Sequence, residues 1–131
     1  MIPVRILKSS TVLNGPFSLA AVIAFAAFSP KPGIAFSGGG EPMLQLDFVT
    51  ELFTEAKAKG VNTCLDTSGI AFDPEHTEAV DQLLAVTDLV MLDIKHIDDE
   101  KHRELTGQSN KNILAFAKYL DSAEATDATH V

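Results

Sequence analysis

The sequence predicts an α/β fold with parallel strands and about three βα units, either a small open sheet or a partial (β/α) barrel arc. Three observations carry that expectation. From Gly33 onward, short continuous apolar runs alternate with segments whose apolar residues recur at helical spacing. The connections are short, which suits right-handed crossovers between parallel strands. Each apolar run empties into a polar or glycine-rich cluster, where parallel α/β folds gather their ligands.

Gly33–Phe36 is the first apolar run and ends in Ser37-Gly38-Gly39-Gly40-Glu41-Pro42, so it reads as a strand entering a glycine loop. Leu46, Val49, Leu52, Phe53 and Ala56 then predict a helix over 46–59, stopped by Gly60. Val61–Leu65 is the next strand, closed by Asp66-Thr67-Ser68-Gly69. Ala79, Val80, Leu83 and Leu84 predict a helix over 75–86, and Leu89–Leu92 a third strand, closed by Asp93-Ile94-Lys95. Asp98 is an expected N-cap for a short helix reaching Leu105. Ser109 is the expected cap of another helix, with Ile113, Phe116, Ala117 and Leu120 as its buried stripe. The periodicity fades after Ser122, so 123–131 reads as a frayed tail.

The chain has 131 residues, enough for one modest domain or part of a larger one, and its 46% hydrophobic and 21% charged residues exclude a disordered chain. A net charge of −8 argues against a nucleic-acid surface. The charge is uneven. Residues 1–32 carry Arg5, Lys8 and Lys31 and no acid, whereas the rest sets seven basic side chains against eighteen acidic ones. The chain therefore divides near Gly33 into an atypical apolar segment, 1–32, and a regular region, 33–122. Residues 17–29 (FSLAAVIAFAAFS) are apolar but too short to span a bilayer, which takes about 20 residues. A secretory signal, a buried helix and a foreign or misread N-terminus remain open there. The single cysteine, Cys64, excludes an internal disulfide and suggests a reducing, cytoplasmic setting. Inside an apolar strand, Cys64 is expected to be a small core residue rather than a nucleophile. His76, His96, His102 and His130 lack metal-ligand spacing.

The expected strand ends place Ser37–Glu41, Asp66–Ser68 and Asp93–Lys95 on one rim. A turn needs one glycine, but Gly38, Gly39 and Gly40 are consecutive and precede an acid. The loop matches neither a dinucleotide fingerprint nor a phosphate loop, and Glu41 favours a cationic group such as an amine. With Asp66, Asp93 and Lys95 it makes a mixed-charge rim suited to a zwitterion. No residue is singled out as catalytic.

SGGGEPMLQ at 37–45, NTCLDTSG at 62–69 and TDLVMLDIKHIDDEKHRELTGQSNKNILAFAKYL at 87–120 resemble the pyruvate formate-lyase activating enzymes. These are radical S-adenosylmethionine enzymes that use a [4Fe–4S] cluster to install a glycyl radical on a partner enzyme. The resemblance covers 33–122. It implies a (β/α)6 barrel of which this chain is an early-middle arc, with S-adenosylmethionine as ligand and a glycyl radical enzyme such as pyruvate formate-lyase as partner. It also implies that Gly39, Gly40 and Glu41 hold the ligand's amine, with one more glycine, Gly38, than the usual pattern. Asp66, Asp93 and Lys95 are implied to line its carboxylate and a nearby monovalent cation. Two departures stand out. The family's CxxxCxxC cluster loop is absent from the sequence, and residues 1–32 do not resemble the family. On these grounds the chain is expected to be truncated and inactive alone, and the competing expectations are a non-catalytic α/β interaction module or a small-metabolite (amine or zwitterion) binding domain.

Overall fold

The computed structural model describes residues 4–6, 33–36 and 40–127, with side chains described from 40 to 123. The apolar run 17–29 and Ser37, Gly38 and Gly39 of the glycine loop lie outside the described residues. Four strands, β1 (Val4–Ile6), β2 (Gly33–Phe36), β3 (Asn62–Thr67) and β4 (Leu89–Leu92), form one sheet in the order β1-β4-β3-β2. All three pairings are parallel. The helices are α1 (Leu46–Ala58), α2 (Glu78–Leu84), α3 (Asp99–Thr106) and α4 (Lys111–Asp127), and a 3-10 turn over Pro42–Gln45 leads into α1. The expected α/β arc of parallel strands is thus present, and the sheet is open.

Periodicity explains which faces are buried. Val49, Leu52, Phe53 and Ala56 of α1 lie on one stripe and are buried against the sheet and its other helices. Val80, Leu83 and Leu84 of α2 and Ile113, Phe116 and Leu120 of α4 complete the same core with Leu65, Val90 and Leu92. Leu65 and Val90 are register partners, as are Thr67 and Leu92, so these residues share the helix-covered face. Cys64 with Leu89 and Asp66 with Met91 pair on the opposite face, where all four are only half-buried. Continuous apolar strands in a parallel sheet are ordinarily covered on both faces. Among the described residues, helices clad one face only.

Several boundaries differ from expectation. β3 runs two residues further, to Thr67, because the ladder to β4 continues through Asp66 and Thr67. Asp66 therefore lies on the sheet face rather than past its end. α2 starts at Glu78 instead of 75. The Asp73 carboxylate accepts from the Glu75 amide at 3.0 Å and its carbonyl from the His76 amide at 3.2 Å, a local turn that delays the helix. Asp98 caps α3 as expected, accepting from the Lys101 amide at 3.0 Å. For α4 the first helical bond runs from the Leu114 amide to the Asn110 carbonyl, which makes Asn110 rather than Ser109 the N-cap residue. The same helix continues to Asp127, past the expected fraying point, through Ala123, Glu124 and Ala125, which are good helix formers.

β1 is the unforeseen element. Val4, Arg5 and Ile6 pair with Val90, Met91 and Leu92, so part of the N-terminal segment completes the outer edge of β4. Three residues show too little alternation to announce a strand, and only the exposed edge of β4 gives them a partner.

Gly69 and Gly107 have φ of +72° and +74°, the left-handed region that penalises a side chain by about 1–2 kcal/mol. A methyl at Gly107 would meet open space, whereas at Gly69 it would sit 3.0 Å from both Leu92 Cδ1 and Phe116 Cδ1. Gly107→Ala is therefore expected to destabilise by about 1–2 kcal/mol, and Gly69→Ala by about 2–4 kcal/mol once overpacking is added. Urea unfolding of the two variants checks this, and equal losses would show that the Gly69 site yields without strain.

Candidate functional site

The three polar clusters meet through specific hydrogen bonds at the ends of β2, β3 and β4. Glu41 caps the 3-10 turn, its Oε1 accepting from the Met43 amide at 3.1 Å. The same oxygen accepts from the Thr67 hydroxyl. Its Oε2 accepts from the Ser68 amide at 3.0 Å and the Ser68 hydroxyl at 2.7 Å. Four donors thus converge on one carboxylate, which offers about four lone-pair positions. Glu41 fastens the loop after β2 to the end of β3, and its own oxygens are occupied in doing so. Gly40, beside it, is exposed, and a Cβ there would meet nothing within 4 Å.

The loop after β3 is shaped by its own hydroxyls. Thr67 Oγ1 accepts from the Gly69 amide at 3.0 Å and Ser68 Oγ from the Ile70 amide at 3.3 Å. The end of β4 joins the same point, since the Asp93 amide donates to the Thr67 carbonyl at 2.9 Å. Asp93 Oδ2 accepts from the Lys95 ammonium, while its Oδ1 is buried without a hydrogen-bond partner. The Asp93 side chain is 19% exposed and that of Lys95 49%. Asp66 stands half-buried on the uncovered sheet face next to Cys64.

Glu41, Asp93 and Lys95 are therefore brought to one rim by the Thr67–Ser68 corner, with Asp66 one residue before it. Gly40 opens the rim, and Gly39 lies outside the described residues. Thr67 and Ser68 are the partners that sequence reasoning missed. Hydroxyls at the end of a strand, facing an acid in a neighbouring loop, were the available signal, but their pairing needs tertiary contact.

Cys64 is not the core residue expected. It lies half-buried on the uncovered face, and burial, with a smaller contribution from Asp66, pushes its thiol up to about 11. His76 pairs with Asp73 at 2.8 Å. His96 Nδ1 accepts from the Asp98 amide at 3.0 Å, and buried His102 lies 2.7 Å from the Gln108 carbonyl. Among the described residues no helix is long and apolar enough to cross a membrane.

The opposite ends of the strands carry a structural knot. Asp88 accepts from the Lys57 ammonium at 2.5 Å and from the Thr63 amide at 2.8 Å. Burial alone would raise the Asp88 carboxyl, but the Lys57 ammonium and the Thr63 donors outweigh it and hold it below its ordinary value. Asp99 is held well below the usual carboxylate range by Arg103, Ser109 and the Asn110 amide.

A parallel sheet clad by helices on one face, with a glycine–glutamate loop and acids at its strand ends, defines the class. A family model of the radical SAM superfamily matches residues 19–130, and the chain belongs to that superfamily. That match begins ahead of the compositional break near Gly33. Within it, the chain is 52% identical over 94 residues to the pyruvate formate-lyase-activating enzyme of Listeria monocytogenes serovar 1/2a, covering 70% of this chain and 38% of that protein. It is 52% identical over 90 residues to the pyruvate formate-lyase-activating enzyme of Streptococcus mutans serotype c, covering 67% and 34%. It is 50% identical over 86 residues to the pyruvate formate-lyase 1-activating enzyme of Escherichia coli strain K12, covering 64% and 33%. The chain thus spans about a third of the length of the curated relatives it matches.

The two groups that such a family implies fit these residues differently. A [4Fe–4S] cluster does not fit: three irons need three thiolates, and the chain has one cysteine, inside β3 with a raised pKa. A zwitterionic cosubstrate does fit the rim, where the unpartnered Asp93 Oδ1, the Lys95 ammonium and the open space at Gly40 are available.

Depressed carboxyl groups make stability depend on pH. A group held low in the folded chain contributes fully above the unfolded value of about 3.9, and its contribution is lost as pH falls through the folded value. Asp88→Asn and Asp99→Asn should each lower stability at neutral pH and make its decline between about pH 5 and pH 2 shallower. Urea midpoints across that range test this, and an unchanged slope would show that neither carboxylate is held low.

Proposed function

We propose that this chain is the S-adenosylmethionine-binding arc of a protein like the pyruvate formate-lyase-activating enzymes. The observation that carries the reading is the buried, unpartnered Asp93 oxygen beside Lys95, on a rim stitched to the glycine–glutamate loop. An unsatisfied buried carboxylate oxygen is costly unless a cation or donor meets it, which supports a ligand there. In this reading the Gly39–Gly40 backbone meets the ligand's amine and Lys95 meets its carboxylate. Asp66 and Asp93 stand beside a monovalent cation. Glu41 acts through the loop it holds in place, since four donors already occupy its carboxylate.

The relatives are named for activating pyruvate formate-lyase, and a glycyl radical enzyme of that kind is the partner we propose, in a cytoplasmic setting. In such enzymes an iron–sulfur cluster supplies the electron that cleaves S-adenosylmethionine. This chain's own residues bind and orient the cosubstrate; with one cysteine they do not supply the cluster. By itself the chain is therefore a binding unit and not a radical generator.

Calorimetry with S-adenosylmethionine on the full chain tests the binding. Losing a charged partner removes about 1.5–3 kcal/mol, roughly ten- to a hundredfold in affinity. Lys95→Ala should weaken binding by that factor, and Glu41→Ala should weaken it indirectly, by releasing the loop from the Thr67–Ser68 corner. Glu55→Ala, in an exposed pair with Lys59, should leave it unchanged. Equal affinities in all four proteins would make the rim purely structural.

Anaerobic reconstitution with iron and sulfide, followed by dithionite and S-adenosylmethionine, should leave the chain without stoichiometric [4Fe–4S] cluster and without 5′-deoxyadenosine. A full cluster with turnover would overturn the cysteine argument.

A further inference from the structure

The N-terminal turn of α4 reaches both rim loops with side-chain amides. Asn110 is buried, at 2% exposure, and occupies the N-cap position, where a side-chain oxygen ordinarily accepts from the first turn. Its Nδ2 instead donates outward, to the Ile97 carbonyl at 2.7 Å and the His96 carbonyl at 3.1 Å. An amide NH2 has two hydrogens, so both are engaged by the segment directly after Lys95. Asn110 is itself held, since Asp99 Oδ1 accepts from its backbone amide at 2.8 Å and from the Ser109 hydroxyl at 2.7 Å. Two residues on, Asn112 Nδ2 donates to the Ile70 carbonyl at 3.1 Å, in the loop that follows Thr67 and Ser68. Phe116 of the same helix packs against Gly69 closely enough that a methyl there would sit 3.0 Å from its Cδ1.

We propose that Asn110, assisted by Asn112, is a positioning residue for the ligand rim: the first turn of α4 sets the Lys95 loop relative to the Thr67–Ser68 corner. The proposal rests on the binding function given above. The segment carrying Lys95 is fixed at its start by the Asp93 amide on Thr67 and at its end by Asn110, with Lys95 between the two ties. Without the second tie, the ammonium is anchored from one side only. Asn112 bonds the other loop to the same helix, so one rigid element references both.

Asn110→Asp tests this in the full chain, because it keeps the shape while placing an acceptor against two carbonyl oxygens. Asn110→Ser, which retains one donor, is the second variant should the first fail to fold. Two readouts are needed: amide hydrogen exchange over residues 94–98, and affinity for S-adenosylmethionine by calorimetry. The expected result is exchange at least tenfold faster in that segment, unchanged exchange in α1, and affinity at least tenfold weaker. Asn110→Ser should fall between parent and Asn110→Asp, and Asn112→Ser should quicken exchange over 70–72. Faster exchange with parental affinity would reduce Asn110 to a structural residue and overturn the proposal, as would parental exchange in both Asn110 variants. If the parent chain binds no S-adenosylmethionine, the binding function falls, and the exchange result alone decides whether the brace exists. If Lys95→Ala weakens binding while both Asn110 variants bind as the parent does, the function stands and the brace falls.

Discussion

The rim depends on one carboxylate. Glu41 receives two backbone amides and two hydroxyls, drawn from the turn after β2 and the corner after β3. Hydrogen bonds to a carboxylate are stronger than neutral ones, so this clasp ties the turn at Glu41–Met43 firmly to the Thr67–Ser68 corner. The Thr67 carbonyl then receives the Asp93 amide and extends the connection to β4. Removing any one of these links would leave buried polar groups without partners, which is more costly than never forming the bond.

This arrangement separates two roles that the same acids might otherwise share. Glu41 is saturated by protein donors and acts as a fastening. Asp93 is half-satisfied, with one oxygen on Lys95 and the other buried and unpartnered. The difference in satisfaction, not in residue type, sets the two carboxylates apart. The Asp88 knot at the opposite strand ends shows the structural case again, with Lys57 and Thr63 meeting both oxygens.

The sheet shows the same division on a larger scale. Helices α1, α2 and α4 cover the face bearing Leu65, Val90 and Leu92, while Cys64, Asp66, Leu89 and Met91 remain half-buried opposite. The chain belongs to the radical SAM superfamily as a partial barrel arc, and its curated relatives are about two and a half to three times as long as the matched stretch. The lone cysteine on this face, its thiol raised by burial, cannot stand in for a set of cluster ligands.

Much of this was legible in the residues. The helical stripes of α1 and α4, the apolar runs of β2 and β4, the Asp98 cap and the gathering of polar clusters at strand ends follow from local rules of periodicity and capping, which act over a few residues. What tertiary structure decided lies beyond that range. The continuation of β3 through Asp66 depends on its ladder with β4, and the strand at Val4–Ile6 on the free edge it pairs with. The hydrogen bonding of Glu41 depends on Thr67 and Ser68, more than twenty-five positions away. Asn110 turned outward because two carbonyls of another loop lay within reach. Sequence spacing determined which residues could share a face; only the folded chain decided which polar groups found partners, because hydrogen bonding is satisfied by proximity in space and not in sequence.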